Sequence, residues 1–180
     1  MHSLSWLATD GTAAIVCFPG IMYRGGAERK IRKYLIDNNY IDCVIQLPSN
    51  LFYGTSIATC IMVLKKSKTD NKVLFIDASK EFVKVTNSNK LTEENIRHIY
   101  NWWHDRKDVQ YICQLVDASA IAEEEYNLSV SSYVEQEDTR EKIDIKVLNQ
   151  QIRDIVAREQ VLRDEIDRII ADIEEGGDHE

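Results

Sequence analysis

Hydrophobic positions follow two rhythms along this chain. Through residue 79 they come in short unbroken runs; after residue 144 they recur every three or four positions. Four of the runs are TAAIVCFP (Thr12–Pro19), IDCVIQLP (Ile41–Pro48), IATCIMVLKK (Ile57–Lys66) and KVLFIDAS (Lys72–Ser79). Their Val and Ile content and their length read as strands. The first is apolar on both faces and is expected to be buried. Between the first two runs, GGAERKIRKYLIDNN sets Ala27, Ile31, Leu35 and Ile36 at helical spacing, with Asn38 and Asn39 as the stop. Strand, helix and strand at this length predict a right-handed parallel crossover. The later strands have short connections and are expected to run antiparallel. The fold class that follows is α/β, a mixed sheet with an antiparallel end.

Past the strands, TEEN carries a capping box, Thr92 with Asn95 three residues on, and acids in the first turn. The helix it starts runs through IRHIYNWWHDRK. Residues 116–134 read as a short helix and then an irregular segment. The second rhythm follows. Ile145, Leu148, Ile152, Ile155, Leu162, Ile166, Ile169 and Ile173 alternate steps of three and four, with Glu159 as the one break. A seam of this kind over four heptads predicts a long helix that packs in a coil or bundle. A narrow stripe on an acidic helix cannot bury itself alone, so a partner helix is expected; the alternative is that it folds back on its own domain. A single polar residue in a seam commonly fixes register or partner choice, which is the role expected of Glu159 unless it lies at the exposed edge of a drifting seam. The organisation expected is a partial α/β sheet over residues 1–90, a helical and irregular extension over 91–138, a long helix for subunit contact over 139–176 and a disordered tail over 177–180.

The sheet reads as incomplete. Buried parallel strands need neighbours on both sides, and the segment before Thr12 is too short to supply a strand and a crossover. The phosphate-binding fingerprint is missing as well: RGGAE does not fit G-x-G-x-x-G. The chain is expected to be the back half of a doubly wound domain, prone to self-association through an exposed sheet edge or the long helix.

Charge sharpens the division. Residues 1–90 hold 12 Lys/Arg and 7 Asp/Glu; residues 91–180 hold 10 and 23, which together give the net −8. The first part can face a polyanion and the second should not. Cys17, Cys43, Cys60 and Cys113 show no CxxC spacing and no metal-ligand pattern. They read as small core residues of a protein in a reducing cytoplasm. No apolar stretch approaches the roughly 18 residues of a membrane span.

One feature of the runs is unusual. IQLPSNLFYGTSIATCIMVLKK puts two adjacent aromatics, Phe52 and Tyr53, into the connection between two strands, where turns are ordinarily short and polar. This segment, with GTAAIVCFPGIMYRGG before it and VLFIDASKEF and EEEYNLSVSSYV after it, resembles the M subunit of type I restriction–modification systems, an adenine-N6 DNA methyltransferase family. The resemblance covers about residues 1–140. It implies the C-terminal part of a Rossmann-like, S-adenosylmethionine-dependent methyltransferase sheet, followed by helices and a coiled-coil-like C-terminal helix. The family's donor-binding glycine turn and its Asn-Pro-Pro-Phe/Tyr catalytic segment lie upstream of the matching region. Neither occurs here, since the two prolines are Pro19 and Pro48. So S-adenosylmethionine is expected to serve the intact enzyme, with no cofactor, metal or catalytic residue expected in this chain alone.

Such an enzyme must extrude its target base from the duplex. An aromatic side chain that restacks an extruded base contributes about 1–3 kcal/mol. In the family this loop borders the target-base pocket, which implies pocket roles for Pro48, Asn50, Phe52, Tyr53 and Gly54. Thr55, Ser56 and Thr59 would reach phosphate or base edge. Phe52 as a core anchor and Tyr53 as a cap on the sheet is the alternative. Arg24, Arg29 and Lys30, with Arg32 and Lys33, form a basic cluster that can contact phosphates, or else a solvated helix face. Ile96, Ile99 and Trp103 share a helix face and are expected in the core, with His104 exposed; Glu123, Glu124 and Glu125 point different ways on a helix and are not expected to hold a metal. The resemblance further implies the specificity (S) subunit as the docking partner of Ile145, Leu148, Ile152, Ile155, Glu159, Leu162, Ile166, Ile169 and Ile173. The restriction subunit and double-stranded DNA complete the assembly, with no membrane. The rival reading is a non-enzymatic coiled-coil interaction module.

Overall fold

The computed structural model describes residues 1–137 and 145–176, the side chains at 172 and 174–176 apart. The expected helix start at 139–144 and the expected tail at 177–180 lie outside the described residues. The chain divides into two compact units, residues 1–137 and 138–180.

In the first unit, helix α1 (His2–Trp6) leads to strand β1 (Thr12–Cys17), a single turn α2 (Gly20–Tyr23), helix α3 (Ala27–Asp37) and strand β2 (Ile41–Gln46). Strands β3 (Cys60–Lys65) and β4 (Lys72–Asp77) follow, then a hairpin of β5 (Val83–Val85) and β6 (Ser88–Lys90). Helix α4 (Glu93–Asp105), strand β7 (Cys113–Asp117), helix α5 (Ala118–Glu123) and a 3₁₀ turn at Val130–Ser132 complete it.

The main sheet has the order β1-β3-β2-β4-β7 among the described residues. Strand β3 runs antiparallel to both β1 and β2, β4 runs parallel to β2, and β7 antiparallel to β4. The mixed sheet expected from the apolar runs is therefore present, with three departures. Strands β1 and β2 are parallel, as the crossover requires, but β3 is inserted between them. Strand β4 is not an antiparallel neighbour of β3; it lies on the far side of β2. Strand β1 is not buried on both faces, for Thr12, Ala14 and Val16 are exposed and Ala13, Ile15 and Cys17 half-buried. The cause is position: among the described residues β1 is an edge strand, paired only with β3.

The central strands justify their composition. In β2 every residue from Ile41 to Ile45 is buried, and in β4 Val73, Leu74, Phe75 and Ile76 are at most 2% exposed. The alternation of a strand, shifted in β2 by an irregularity between Ile41 and Cys43, splits these residues between two cores. Ile41, Val44, Val73 and Phe75 face one side, with Leu35, Ile36 and Ile121; Cys43, Ile45, Leu74 and Ile76 face the other, with Ile99. All four cysteines are free thiols, Cys17 half-buried and the rest buried.

Two helix faces differ from expectation. On α3 the buried set is Arg32, Leu35 and Ile36, while Ile31 is exposed. On α4, Ile99 is buried and Trp103 half-buried, but Ile96 is exposed. Trp103 spends its Nε1–H on Asp42 Oδ2 at 2.9 Å, and Arg106 Nη1 donates to Asp42 Oδ1 at 2.8 Å. These two bonds satisfy a carboxylate that is only 5% exposed. The capping box of α4 is formed as read: Asn95 N donates to Thr92 Oγ1 at 3.3 Å and Thr92 N to Asn95 Oδ1 at 3.0 Å. The helix ends at Arg106, whose left-handed φ of 49° turns the chain.

In the second unit, α6 (Ile145–Gly176) is a single helix of 32 residues. At ~1.5 Å per residue that is roughly 48 Å. Its seam residues are exposed throughout, from 43% at Leu148 to 71% at Ile145.

Candidate functional site

Strands β1, β2 and β4 are mutually parallel, so their carboxyl ends, Cys17, Gln46 and Asp77, fall on one rim of the sheet. The register fixes this: Cys60 pairs with both Cys17 and Gln46, and Gln46 with Asp77. Open α/β sheets bind ligands outside the carboxyl ends of their strands.

The connection from 47 to 59 leaves this rim from Gln46. Its base is closed by Leu47 N donating to Thr59 O at 2.9 Å. Pro48 is buried beneath it, which ends the strand ladder because proline offers no N–H. The loop is then held from outside by the β5–β6 hairpin: Asn89 N donates to Asn50 O at 2.9 Å, and Asn89 Nδ2 to Ser49 O at 2.8 Å. Asn50 sits at φ 54° and Gly54 at φ 80°. A Cβ built on Gly54 would meet nothing within 4 Å, so the demand for glycine there comes from backbone conformation and not from crowding. Thr55 N donates to Phe52 O at 3.4 Å and Thr55 Oγ1 accepts from Ile57 N at 3.2 Å, which tightens the tip.

On this pinned backbone the apolar side chains face solvent. Phe52 is 46% exposed, Tyr53 fully exposed and Ile57 53% exposed. Phe52 is therefore not a core anchor. Asn50, Gly54 and Ser56 are exposed with them and Thr55 is half-buried. Two residues expected to face a ligand do not. Pro48 fills the core below the loop, and Thr59 is 4% exposed, which closes off its reach to phosphate. The Thr59 hydroxyl has no hydrogen-bond partner among the described residues. Beside it in sequence, Cys60 Sγ lies 3.4 Å from Gln46 Oε1, and burial pushes that thiol up to about 11.

The basic cluster divides by role. Arg24, Arg29 and Lys30 are exposed after the carboxyl end of β1. Arg29 Nη2 pairs with Glu125 Oε1 at 3.4 Å, and the Arg24 guanidinium folds over Gly20. Arg32 is a structural clamp: it is 3% exposed, and its Nε and Nη1 donate to Tyr126 O at 2.7 Å and Ile21 O at 2.8 Å. Burial, ahead of the neighbouring charges, lowers its pKa. Its sequence position carried the signal, since 32, 35 and 36 share a helix face at the i, i+3, i+4 spacing. Lys33 is likewise engaged, with Asp37 at 2.8 Å and the Tyr126 hydroxyl at 2.7 Å.

A cavity of about 290 Å³ lies farther along the same rim, at the end of β4, between Asp77, Lys80, Glu81, Trp102 and Tyr111. No pattern in the runs pointed to it, because its walls come from four separate segments. No group of His, Cys, Asp or Glu among the described residues is arranged to hold a metal, and no described helix is long and apolar enough to cross a membrane.

Comparison with known proteins gives the lineage of this arrangement. The N-6 DNA Methylase family matches residues 1–142. The type I restriction enzyme MpnII methylase subunit of Mycoplasma pneumoniae is 49% identical over 175 residues, which are 96% of this chain and 32% of that protein. The MjaVIII methylase subunit of Methanocaldococcus jannaschii is 38% identical over 143 residues, 76% of this chain and 25% of that protein. The chain thus spans about a third or less of these relatives. Among solved structures, the type I restriction–modification methyltransferase subunit of Streptococcus thermophilus superposes with a TM-score of 0.73 at 43% identity, over 74% of this chain and 29% of that one. The EcoKI M protein shares the fold at a TM-score of 0.59 and 15% identity, over 73% of this chain and 36% of that one. This chain belongs to the N-6 DNA methylase family, as a portion of a type I restriction–modification methylase subunit.

Proposed function

We propose that the chain is the C-terminal part of an M subunit, where it forms one wall of the target-base pocket and carries the helical arm that docks on the specificity subunit. The intact enzyme would transfer a methyl group from S-adenosylmethionine to adenine N6 in double-stranded DNA. The donor site and the Asn-Pro-Pro segment would come from sequence outside this chain, which would hold the base without performing the transfer.

The observation that carries this reading is the display of Phe52 and Tyr53 on a pinned loop at the carboxyl rim. An extruded adenine loses two stacking faces, and an exposed aromatic on a fixed backbone can replace one with little ordering cost. Gly54 lets the backbone approach, Asn50 is exposed on the same loop, and Thr55 and Ser56 have hydroxyls at the tip. Arg24 and Lys30 are the exposed cations suited to phosphates; Arg29 would first have to leave Glu125. The assembled complex would include the restriction subunit and would work in the cytoplasm.

Replacing Phe52 and Tyr53 together by Ala in the assembled enzyme should lower the methylation rate by at least tenfold, on the order of one lost stacking contact, while subunits still co-elute. An unchanged rate sinks the pocket assignment. The exposed seam of α6 favours a second reading, a purely adhesive module with no part in base binding. That reading predicts a full methylation rate in the double variant, which separates the two, whereas both predict loss of assembly in Ile155→Asp.

A further inference from the structure

The seam of α6 leaves eight apolar side chains of one helix exposed, and the charges around it are unevenly placed. In sequence, residues 145–163 hold four Lys/Arg and two Asp/Glu, whereas residues 164–176 hold one Arg and six Asp/Glu. The helix is basic toward its start and strongly acidic toward its end. Two such helices side by side in parallel would set acidic end against acidic end and Glu159 against Glu159. Reversed, each basic half meets an acidic half.

We propose that α6 pairs with α6 of a second copy of this chain as an antiparallel coil; this rests on reading α6 as a pairing helix. One register aligns the seam from Leu148 to Ile173: Leu148 opposite Ile173 of the second copy, Ile152 opposite Ile169, Ile155 opposite Ile166, and Glu159 opposite Leu162. In this register Arg158 and Glu165 of the two copies flank the seam together, an attractive pair that occurs twice by symmetry. The seam break is accommodated as well. Glu159 Oε1 is already bonded to Arg163 Nη2 of its own helix at 2.7 Å, which turns the carboxylate toward the edge and offers the aliphatic stem to Leu162. A specificity subunit that docks on the same seam would have to displace the second copy.

Sedimentation equilibrium of the full chain at micromolar concentrations tests this. A dimer is expected, with its dissociation constant raised about tenfold or more by Arg158→Glu or by Glu165→Arg alone and restored when both are combined, since each reversal makes two attractive pairs repulsive. Direction is read by mixing a Leu148→Cys chain with an Ile173→Cys chain under mild oxidation. Cross-links between the two chains support the antiparallel register, and Leu148→Cys chains linked to each other overturn it. A dimer that survives Ile155→Asp assigns association to the β1 edge and overturns the proposal. A monomer also overturns it; if Ile155→Asp then still abolishes co-elution with the specificity subunit, the docking role of α6 stands without self-pairing.

Discussion

The loop at 47–59 and helix α6 both expose large apolar side chains, yet they do so in opposite ways. The loop shows three of them, Phe52, Tyr53 and Ile57, on a backbone fixed at its base by Leu47 and Thr59 and from outside by Asn89. The helix shows a line of eight at regular intervals, each of them exposed. A few rings on a rigid mount suit a small flat ligand that enters and leaves. A continuous stripe suits another helix, because only an extended partner covers it. Exposed hydrophobic surface therefore means different things in the two units, and the geometry of its support makes the distinction.

The contrast breaks most sharply at the foundations of the first unit. Asp42 is buried under Trp103 and Arg106, and removing one member of a buried charged pair ordinarily costs about 3–5 kcal/mol. Arg106 keeps about a quarter of its side chain exposed, so Asp42→Ala should cost nearer the lower figure, about 3 kcal/mol. Thermal unfolding followed by the fluorescence of the tryptophans should move down by several degrees, while the self-association proposed for α6 should not change. A variant that lowers both would mean that the two units do not behave separately.

A pH scan separates them again, at smaller amplitude. Burial raises Cys60 to about 11 and Cys113 to about 12, and pushes Cys43 up as well. A thiol in the unfolded chain ionises near 8.5. The raised folded values mean that this stabilisation is complete below about pH 8.5 and is lost progressively as pH rises toward 11 or 12. Stability of the first unit should fall over that window, and α6, which has no cysteine, should keep its helical signal. Buried thiols should also resist a thiol reagent at pH 8 while half-buried Cys17 reacts. Equal labelling of all four would place water where the packing leaves none.

The parts of this design that were legible in sequence are those written in short-range pattern. The unbroken apolar runs of β2, β3 and β4, the capping box at Thr92 and the three-four spacing of the α6 seam are all local patterns. The parts that were hidden depend on distant partners. Strand β7 is a five-residue stretch whose strand character comes from pairing with β4, and the β5–β6 strands are three residues each and largely exposed. Asn89, which fixes the aromatic loop from 40 residues away, has no local signature at all. The apolar run of β1 suggested burial on both faces, and it was the short segment before Thr12, not the composition of the run, that pointed to an uncovered edge. In the loop, sequence found the aromatics and the glycine but placed Pro48 and Thr59 on the wrong side of the surface.

Thr59 offers the smallest and most local test, because its hydroxyl is buried without a partner among the described residues. A buried polar group left unpaired costs about 1–3 kcal/mol relative to an apolar group of the same shape, and valine has that shape. Thr59→Val should therefore leave the first unit as stable as before or stabilise it by up to about 1 kcal/mol, read as a small rise in melting temperature. The loop above it would keep its backbone bonds, since Thr59 takes part through its carbonyl, which accepts from Leu47 N. If stability falls instead, the hydroxyl has a partner in solution, an ordered water or the neighbouring Gln46 side chain turned toward it. The base of the aromatic loop would then be a polar junction, and the rigidity that distinguishes the loop from the seam of α6 would rest on it.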